Sequence, residues 1–421
     1  MTVKAEPLQH APWSACLLIK DSNIILPEWL AYHYTTLPLR RLIVAIDPKS
    51  TFDPSYIFNQ YESIGMNTTI WTDDDYWVDG PRFHEKRNFT ITNDTLPAYA
   101  QDRLVYRQKI FYHGCLMQLK EEKQKWTAVI DADEYIAFNY LDERSLEGVR
   151  SGCGEREIFI GNSSDMQNHC EETCSAKNLT CLLPRKRVLT PVVLTENDKV
   201  TEFYDCILPP PCDSEYRRKS FRTRLNQSAT VSEHIHKHID RSFDSHDCIV
   251  LARYLFSSNE TDSKIIEEGV DDAFNATLFH TLRYRFRTDL EDRQPGKSIV
   301  DVSRYGGNSI LSPHRLHRKC LTENRAYPDN YQMSLRVHHY VGSWESFRLR
   351  GYDQFEQRNK LASWVVDDTT PKYTASGDGT ISWLSQFAAL VGREKALELT
   401  EKIRVHEERE VERYLDRKQE Q

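Results

Sequence analysis

The chain lacks a long apolar run and has no apolar segment at its N-terminus. No stretch of its 421 residues approaches the roughly 18 apolar residues that a membrane-spanning helix needs. Residues 1–6 do not resemble a signal peptide and lead almost directly into a predicted strand. We therefore expect any membrane attachment to depend on an anchor or signal that is absent from this sequence.

The chain also lacks an excess of positive charge. It holds 55 basic and 63 acidic residues, a formal net charge of −8, and its isoelectric point is near 6.0. This balance argues against a nucleic-acid partner. A hydrophobic fraction of 39% and a charged fraction of 28% are ordinary for a globular protein, and the length allows one large α/β domain or two smaller ones.

Cysteine is plentiful and unevenly distributed. Six of the ten cysteines form one cluster in the sequence: Cys153, Cys170, Cys174, Cys181, Cys206 and Cys212. This density predicts a disulfide-tied lobe in an oxidising compartment. A zinc site is the alternative, because two of the six are four residues apart, but the others do not follow the spacing of zinc fingers.

Glycosylation motifs are in excess. Of 17 asparagines, eight lie in Asn-X-Ser/Thr, where chance would give about two. The eight are Asn67, Asn88, Asn93, Asn162, Asn178, Asn226, Asn259 and Asn275. We interpret them as surface sites of a protein of the secretory-pathway lumen, with ordinary polar loops as the alternative.

The first third of the chain alternates between strand and helix patterns. Strands are predicted at 15–19, 42–46, 68–71 and 129–133, a helix begins at Pro27, and a long helix covers about 102–125. This order predicts an α/β fold with a mostly parallel sheet flanked by helices, and ligands at the carboxyl ends of the strands. The remaining boundaries divide the chain into an N-terminal tail (1–14), a main domain (15–365) with an irregular Cys-rich insertion (about 150–289), and a helical C-terminal extension (366–421).

The segment 126–136 carries the strongest functional signal, because its apolar run ends in Asp-Ala-Asp-Glu. Alternate residues of an extended chain point the same way, so Asp131 and Asp133 are expected to reach one cation while Glu134 points elsewhere. Carboxylates suit Mn²⁺ or Mg²⁺ and leave coordination positions for substrate phosphates. A surface turn with three acids is the alternative interpretation.

A second signal is the histidine pair of segment 336–345. Adjacent residues of a strand point to opposite faces, so only one of His338 and His339 can face a site. A neutral imidazole can ligate a metal, although a structural role is the alternative.

Several blocks of the sequence resemble family 92 glycosyltransferases. Residues 16–20 and 27–34 resemble the family's opening, C-x-x-x-K followed by E-W-L-x-Y-H, and residues 106–115 resemble its helix before the metal motif. Residues 126–136 resemble W-x-x-x-x-D-x-D-E-F/Y-I, and residues 339–345 are similar to a late H-Y…S-x-E element. Order and spacing agree from about residue 15 to 350.

The resemblance implies a Rossmann-like GT-A fold and transfer of a sugar, most often galactose from UDP-galactose, to a hydroxyl of a glycan or glycoprotein with inversion. It also implies a Golgi location. Asp131 and Asp133 would hold Mn²⁺ or Mg²⁺ against the donor diphosphate, and His339 would be a third metal ligand or a diphosphate contact.

The same resemblance implies further nucleotide-binding and catalytic residues. Lys20, Asp21 and Asp47 would line the nucleotide site at the ends of the first two strands. Lys297 and His314 would face the diphosphate, in preference to the basic run 217–219 and the histidines that follow it. Inversion needs a base for the acceptor hydroxyl; Glu134, beside Asp133, is the nearest candidate in sequence, and a residue of the later half is an equal alternative.

Two other functions compete with a glycosyltransferase. A haloacid-dehalogenase-type phosphohydrolase also ends a strand in Asp-X-Asp, but it usually carries the motif on its first strand and has Thr or Val where this chain has Tyr135. A catalytically silent carbohydrate-binding protein is the non-enzymatic alternative, against which the intact Asp-X-Asp argues.

Overall fold

The structure is a computed structural model. It describes residues 13–76, 104–138, 140–141, 157–160, 192–194, 200–201, 203–206, 248–256, 272–284, 286–287, 296–307, 314, 320, 335–343, 372–373 and 383–419. The side chains of the six clustered cysteines, the run 217–238 and six of the eight glycosylation motifs lie outside the described part.

The described strands are numbered in chain order. They are β1 Trp13–Ile19, β2 Leu39–Ile46, β3 Asn67–Trp71, β4 Trp126–Val129, β5 Glu134–Phe138, β6 Tyr140–Leu141, β7 Glu157–Ile160, β8 Val192–Leu194, β9 Val200–Thr201, β10 Phe203–Cys206, β11 Cys248–Phe256, β12 Phe286–Arg287, β13 Lys297–Asp301, β14 Leu335–Tyr340 and β15 Lys372–Tyr373.

The described helices are numbered in the same way. They are α1 Leu26–Thr36, α2 Ser55–Glu62, α3 Asp73–Tyr76, α4 Leu104–Glu121, α5 His280–Arg283, α6 Trp383–Val391, α7 Arg393–Leu397 and α8 Ile403–Gln419. A 3₁₀ turn at Ala276–Leu278 precedes α5, and a π-helical turn at Glu398–Lys402 joins α7 to α8.

Most of the described strands belong to one large sheet, and the four strands that come first in the chain are parallel to one another. Their order is β3-β2-β1-β4, and all three neighbouring pairs run parallel. The carboxyl ends of these four strands therefore lie at one edge of the sheet. Because β2 and β3 extend to one side of β1 and β4 to the other, the order reverses at β1, and ligands in such sheets bind at that reversal.

The other half of the sheet is mostly antiparallel. β13 pairs antiparallel with both β4 and β11, and β14 pairs parallel with β11 and antiparallel with β5. β12 and β15 extend the sheet beyond β11. The chain thus has a mixed α/β fold, and the predicted parallel sheet with flanking helices is confirmed around the edge where the acidic motif lies.

Alternating residues of the first strands bury both faces of the sheet. Ala15, Leu17 and Ile19 of β1 pack in one core with α1, α2 and α6. Cys16 and Leu18 point the other way, into a second core with α4. A disulfide between Cys16 and Cys115 joins β1 to α4 within that second core, and another joins Cys248 to Cys320. The sheet is therefore covered on both sides, as parallel strands require.

Two differences from the sequence prediction have clear causes. β4 ends at Val129, four residues earlier than predicted, because the chain turns at the acids that follow it. β11 is a central strand although it lies within the predicted irregular insertion, whose composition obscured the largely apolar pattern of this strand. The C-terminal α8, within the predicted helical extension, buries Ile403 and Val411 on one side. No helix of the described part is both long and apolar enough to cross a membrane.

Candidate active site

The acidic motif forms a tight turn at the carboxyl edge of the parallel strands. The backbone N–H of Glu134 donates to the carbonyl oxygen of Asp131 at 3.1 Å. The indole N–H of Trp29 in α1 reaches both ends of the turn, 3.2 Å from the carbonyl of Asp131 and 3.0 Å from that of Glu134. The turn connects parallel β4 to β5, beside β1, and thus lies where the strand order reverses.

This turn changes the expected relation between the acids. The sequence predicted Asp131 and Asp133 in extended backbone, pointing together, with Glu134 pointing away. In the structure the Glu134 carboxylate folds back and accepts the backbone N–H of Asp131 at 2.9 Å. A turn does not keep the alternation of a strand, so the two aspartates acquire different neighbours.

Asp131 belongs to a cluster of opposite charges whose other members are largely buried, while its own side chain is 31% exposed. Its Oδ2 lies 2.6 Å from Nζ of Lys297, which comes from β13 and is 1% exposed. The same ammonium lies 3.2 Å from Oε2 of Glu134, and Arg253 of β11 pairs with the other oxygen of Glu134 at 3.0 Å. Two cations thus hold two carboxylates in a pocket from which Glu134 has no access to solvent. Tyr112 and Gln108 of α4 approach the remaining oxygen of Asp131, each at 3.4 Å.

The pKa values of this cluster follow from burial and pairing. Burial raises the pKa of Asp131 above its ordinary value, a rise that Lys297 opposes. Burial would also raise the pKa of Glu134, but Lys297 and Arg253 outweigh it and hold the pKa below the usual value. For Lys297 the two carboxylates outweigh desolvation and raise its pKa. Lys297 and Glu134 are therefore both ionised at neutral pH.

Asp133 meets a histidine that is far away in the sequence. Its Oδ2 lies 3.1 Å from Nε2 of His339 on β14, and the backbone N–H of Tyr340 donates to the carbonyl of Asp133 at 2.9 Å. His339 and Asp133 are partly exposed, whereas His338 points into the core and is fully buried. The two histidines therefore point to opposite faces of β14, as the alternation of an extended strand predicted.

A divalent cation fits this pair but not the full predicted set. In the described part of the chain, no three His, Cys, Asp or Glu side chains are arranged around one metal position. Asp131 faces Lys297, so the expected grouping of Asp131, Asp133 and His339 is not present. The 3.1 Å between Asp133 and His339 does match the roughly 3 Å between adjacent ligands of an octahedral cation with bonds of about 2.1 Å. Water and substrate oxygens would supply the other positions.

The residues predicted at the first two strand ends have structural partners. Oδ1 of Asp21 accepts the backbone N–H groups of Thr51 and Phe52, at 2.6 and 3.2 Å, and so anchors the loop after β2. Asp47 is buried; its Oδ1 accepts the backbone N–H of Lys49, and its Oδ2 accepts two N–H groups of Arg107. Lys20 is half-buried at the end of β1.

His314 lies beside the start of β13. Its Nδ1 is 3.2 Å from the carbonyl oxygen of Gly296, the residue before Lys297. Burial, together with the positive charges of Lys297 and Arg253, lowers its pKa to about 4. A neutral imidazole thus borders the charged cluster. Lys297 and His314, both predicted to face the diphosphate, therefore lie in the same part of the structure.

Two basic residues of the site were not among the sequence-predicted site residues. Arg253 lies in the segment interpreted as an irregular insertion, and the pairing of β11 with β14, which in turn pairs with β5, brings it to Glu134. Arg107 precedes Gln108 in α4, within a helix that resembled the family's, and no sequence signal connected it to Asp47.

Comparison with known proteins adds little. No family model matches the chain, and no curated protein matches it. One similar solved structure is core-mannan synthase A from Aspergillus fumigatus in its Mn/GDP form, with 10% identity and a TM-score of 0.18. The alignment covers 42% of this chain and 51% of that one, so the chain spans about half of that structure's length.

Proposed function

We propose that this protein is a metal-dependent glycosyltransferase that uses a nucleotide-sugar donor. The supporting observation is the Asp-Ala-Asp-Glu turn at the reversal of a parallel sheet, where Asp133 meets a histidine 206 residues away in sequence. A crevice at the carboxyl ends of parallel strands is where α/β proteins bind nucleotides. The resemblance to family 92 supplies the finer proposal: a GT-A enzyme that transfers galactose from UDP-galactose to a glycan or glycoprotein hydroxyl with inversion.

Asp133 and His339 would hold the cation, Mn²⁺ or Mg²⁺. Carboxylate and imidazole at 3.1 Å leave several coordination positions for diphosphate oxygens and water. The bound cation would supply Lewis-acid neutralisation of the charge that develops on the departing nucleotide.

The buried cluster would keep the acidic turn in one conformation. Glu134 cannot take a proton from an acceptor hydroxyl, because its carboxylate is fully buried and already bound by Lys297, Arg253 and the backbone of Asp131. We therefore assign Glu134 a positioning role, which departs from its expected role as the base. Lys297 and Arg253 also offset the negative charge of the turn, which lowers the repulsion that an incoming diphosphate would meet.

The compartment is part of the proposal. Disulfides at Cys16–Cys115 and Cys248–Cys320 need an oxidising environment, which fits the secretory lumen, with the Golgi as the expected location. Asn67 and Asn275, the two motif asparagines in the described part, are both exposed.

Nucleotide release by the purified protein tests the function directly. A panel of UDP- and GDP-sugars is incubated with Mn²⁺ and then with EDTA; we expect slow, Mn²⁺-dependent release from one donor. Asp133→Asn should abolish release while thermal unfolding stays unchanged, and Asp416→Asn, an exposed acid of α8, is the matched control. The absence of both release and nucleotide binding in a folded wild-type sample would refute the proposal.

A further inference from the structure

A buried ion pair lies at the carboxyl end of β2. Asp47 follows β2, and its backbone N–H donates to the carbonyl of Ile19 in β1 at 2.8 Å. Arg107 of α4 donates to Oδ2 of Asp47 through Nε at 3.1 Å and Nη2 at 2.9 Å. The side chains are 2% and 0% exposed, so the pair is shielded from water.

The carboxylate of this pair has little left to offer a ligand. Oδ2 of Asp47 accepts two bonds from Arg107, and Oδ1 accepts the backbone N–H of Lys49 at 2.9 Å. A buried acceptor whose oxygens are both engaged can take a substrate group only if one of these bonds breaks. Asp47 was expected to contact the nucleoside, but its contacts are those of a residue that positions its neighbour.

The guanidinium, by contrast, has an unused donor. Nη1 of Arg107 is buried and has no hydrogen-bond partner in the part of the chain that the structure describes. Buried polar groups almost always have a partner, and an orphaned group of a charged side chain is among the most costly exceptions. A ligand that accepts a hydrogen bond from Nη1 would remove that cost.

The position of Arg107 connects it to the candidate active site. Gln108, the next residue of α4, has its amide 3.4 Å from Asp131. One turn of this helix therefore extends from the end of β2 to the acidic turn after β4, along the edge where the proposed nucleotide lies. A nucleotide with its diphosphate near Asp133 and His339 would place its nucleoside toward β2.

The charge of the pair selects the kind of acceptor. Arg107 and Asp47 together are neutral, and a phosphate buried against a neutral, dry pair would lack compensation for its desolvation. A neutral carbonyl oxygen has no such cost and still gains a charge-assisted hydrogen bond. Uracil and guanine have ring carbonyls, and adenine has none.

We propose that Arg107 binds the nucleobase of the donor, with Nη1 donating to a ring carbonyl oxygen, and that Asp47 is the positioning residue that holds the guanidinium. The inference deepens the proposed function and depends on it. It predicts that the site prefers nucleotides whose base carries a carbonyl.

The test compares UDP with ADP in Mn²⁺ by titration calorimetry. The wild type should bind UDP more tightly, and Arg107→Lys, which keeps the charge but loses the planar fork, should weaken UDP binding about tenfold while ADP binding is unchanged. Its KM for the donor sugar should rise by the same factor with kcat nearly constant. Arg40→Lys is the matched control, because Arg40 lies at the opposite end of β2 and stacks on Tyr34.

A second measurement needs no variant and so does not depend on folding. UDP analogues in which sulfur replaces the oxygen at position 2 or 4 of the ring are compared on the wild type, since sulfur is a weak acceptor. One analogue should bind about tenfold more weakly than UDP. The role assigned to Arg107 would be overturned if UDP and both analogues bound equally, or if a folded Arg107→Lys bound UDP as tightly as the wild type. Either result would leave the proposed function standing. A wild type that binds no nucleotide would overturn the proposed function together with the role of Arg107.

Discussion

His33 gives the sharpest test of how burial controls this fold. The imidazole lies in α1, is fully buried, and packs against the rings of Trp29 and Tyr135. Its Nδ1 is 2.9 Å from the carbonyl of Trp29, and its Nε2 is 3.4 Å from the backbone N–H of Ile136, just beyond the acidic turn. A carbonyl can only accept and an N–H can only donate, so the neutral ring with its proton on Nδ1 satisfies both.

Protonation of His33 would therefore oppose folding. Burial lowers its pKa from 6.5 to about 3, so the folded state holds the ring neutral where the unfolded chain would protonate it. The contribution of the neutral His33 ring to the free energy of unfolding is therefore complete above pH 6.5 and is lost as the pH falls toward 3. The shift corresponds to about 5 kcal/mol in total, of which roughly 3 kcal/mol is lost by pH 4.

Urea unfolding at pH 7, 5.5 and 4 measures this contribution. His33→Gln should be less stable than the wild type at pH 7, by about 1–3 kcal/mol, because the packing and the two hydrogen bonds are disturbed. The difference in unfolding free energy between the wild type and His33→Gln should become steadily smaller toward pH 4, because glutamine does not titrate. His406→Gln, at an exposed position, should follow the wild type. Parallel loss of stability in the wild type and His33→Gln would refute the reasoning.

Three further predictions concern the site and the surface. Lys297→Met should cost about 3 kcal/mol in thermal or chemical unfolding, because it leaves the buried Glu134 and the part-exposed Asp131 without this cation. Lys395→Met, in a part-exposed pair, should cost less than about 1 kcal/mol, and equal costs would contradict the burial of the Lys297–Glu134 pair. Asp133→Asn should lower Mn²⁺ affinity by about 100-fold, because Asp133 is the aspartate that faces the histidine. Asp131→Asn should lower it by less than about tenfold. Mn²⁺ titration measures both affinities, and the reverse order would exchange the roles of the two aspartates. Asn275 should carry a glycan after expression in a secretory host, because it is exposed and its side chain is engaged through Oδ1, which accepts two hydrogen bonds from Thr277, rather than through the amide nitrogen that a glycan would modify. Asn275→Asp should keep that cap and lose the glycan mass, and an unmodified wild-type peptide would count against the site.

Much of the first half of the fold was predictable from local pattern. Buried runs with turn residues between them indicated β1 to β4, and a proline near the first helical position indicated α1. β11 was missed because it lies in a segment rich in Cys, Pro and Asn, where composition outweighed a nine-residue strand that is apolar except for Arg253. Strand pairing across such distances has no local signature.

The sequence by itself determined the parallel half of the sheet, the position of the acidic motif after a buried strand, and the opposite directions of His338 and His339. These follow from periodicity and from the rigid geometry of extended chains. Only the tertiary structure decided which charges meet. Lys297 reaches the acidic turn because β13 joins the sheet beside β4, and Arg253 reaches it because β11 pairs with β14, which pairs with β5. Asp47 is engaged because Arg107 of α4 reaches the end of β2. A carboxylate's chemistry depends on its neighbours in space, and those neighbours lie 60 to more than 200 residues away along the chain.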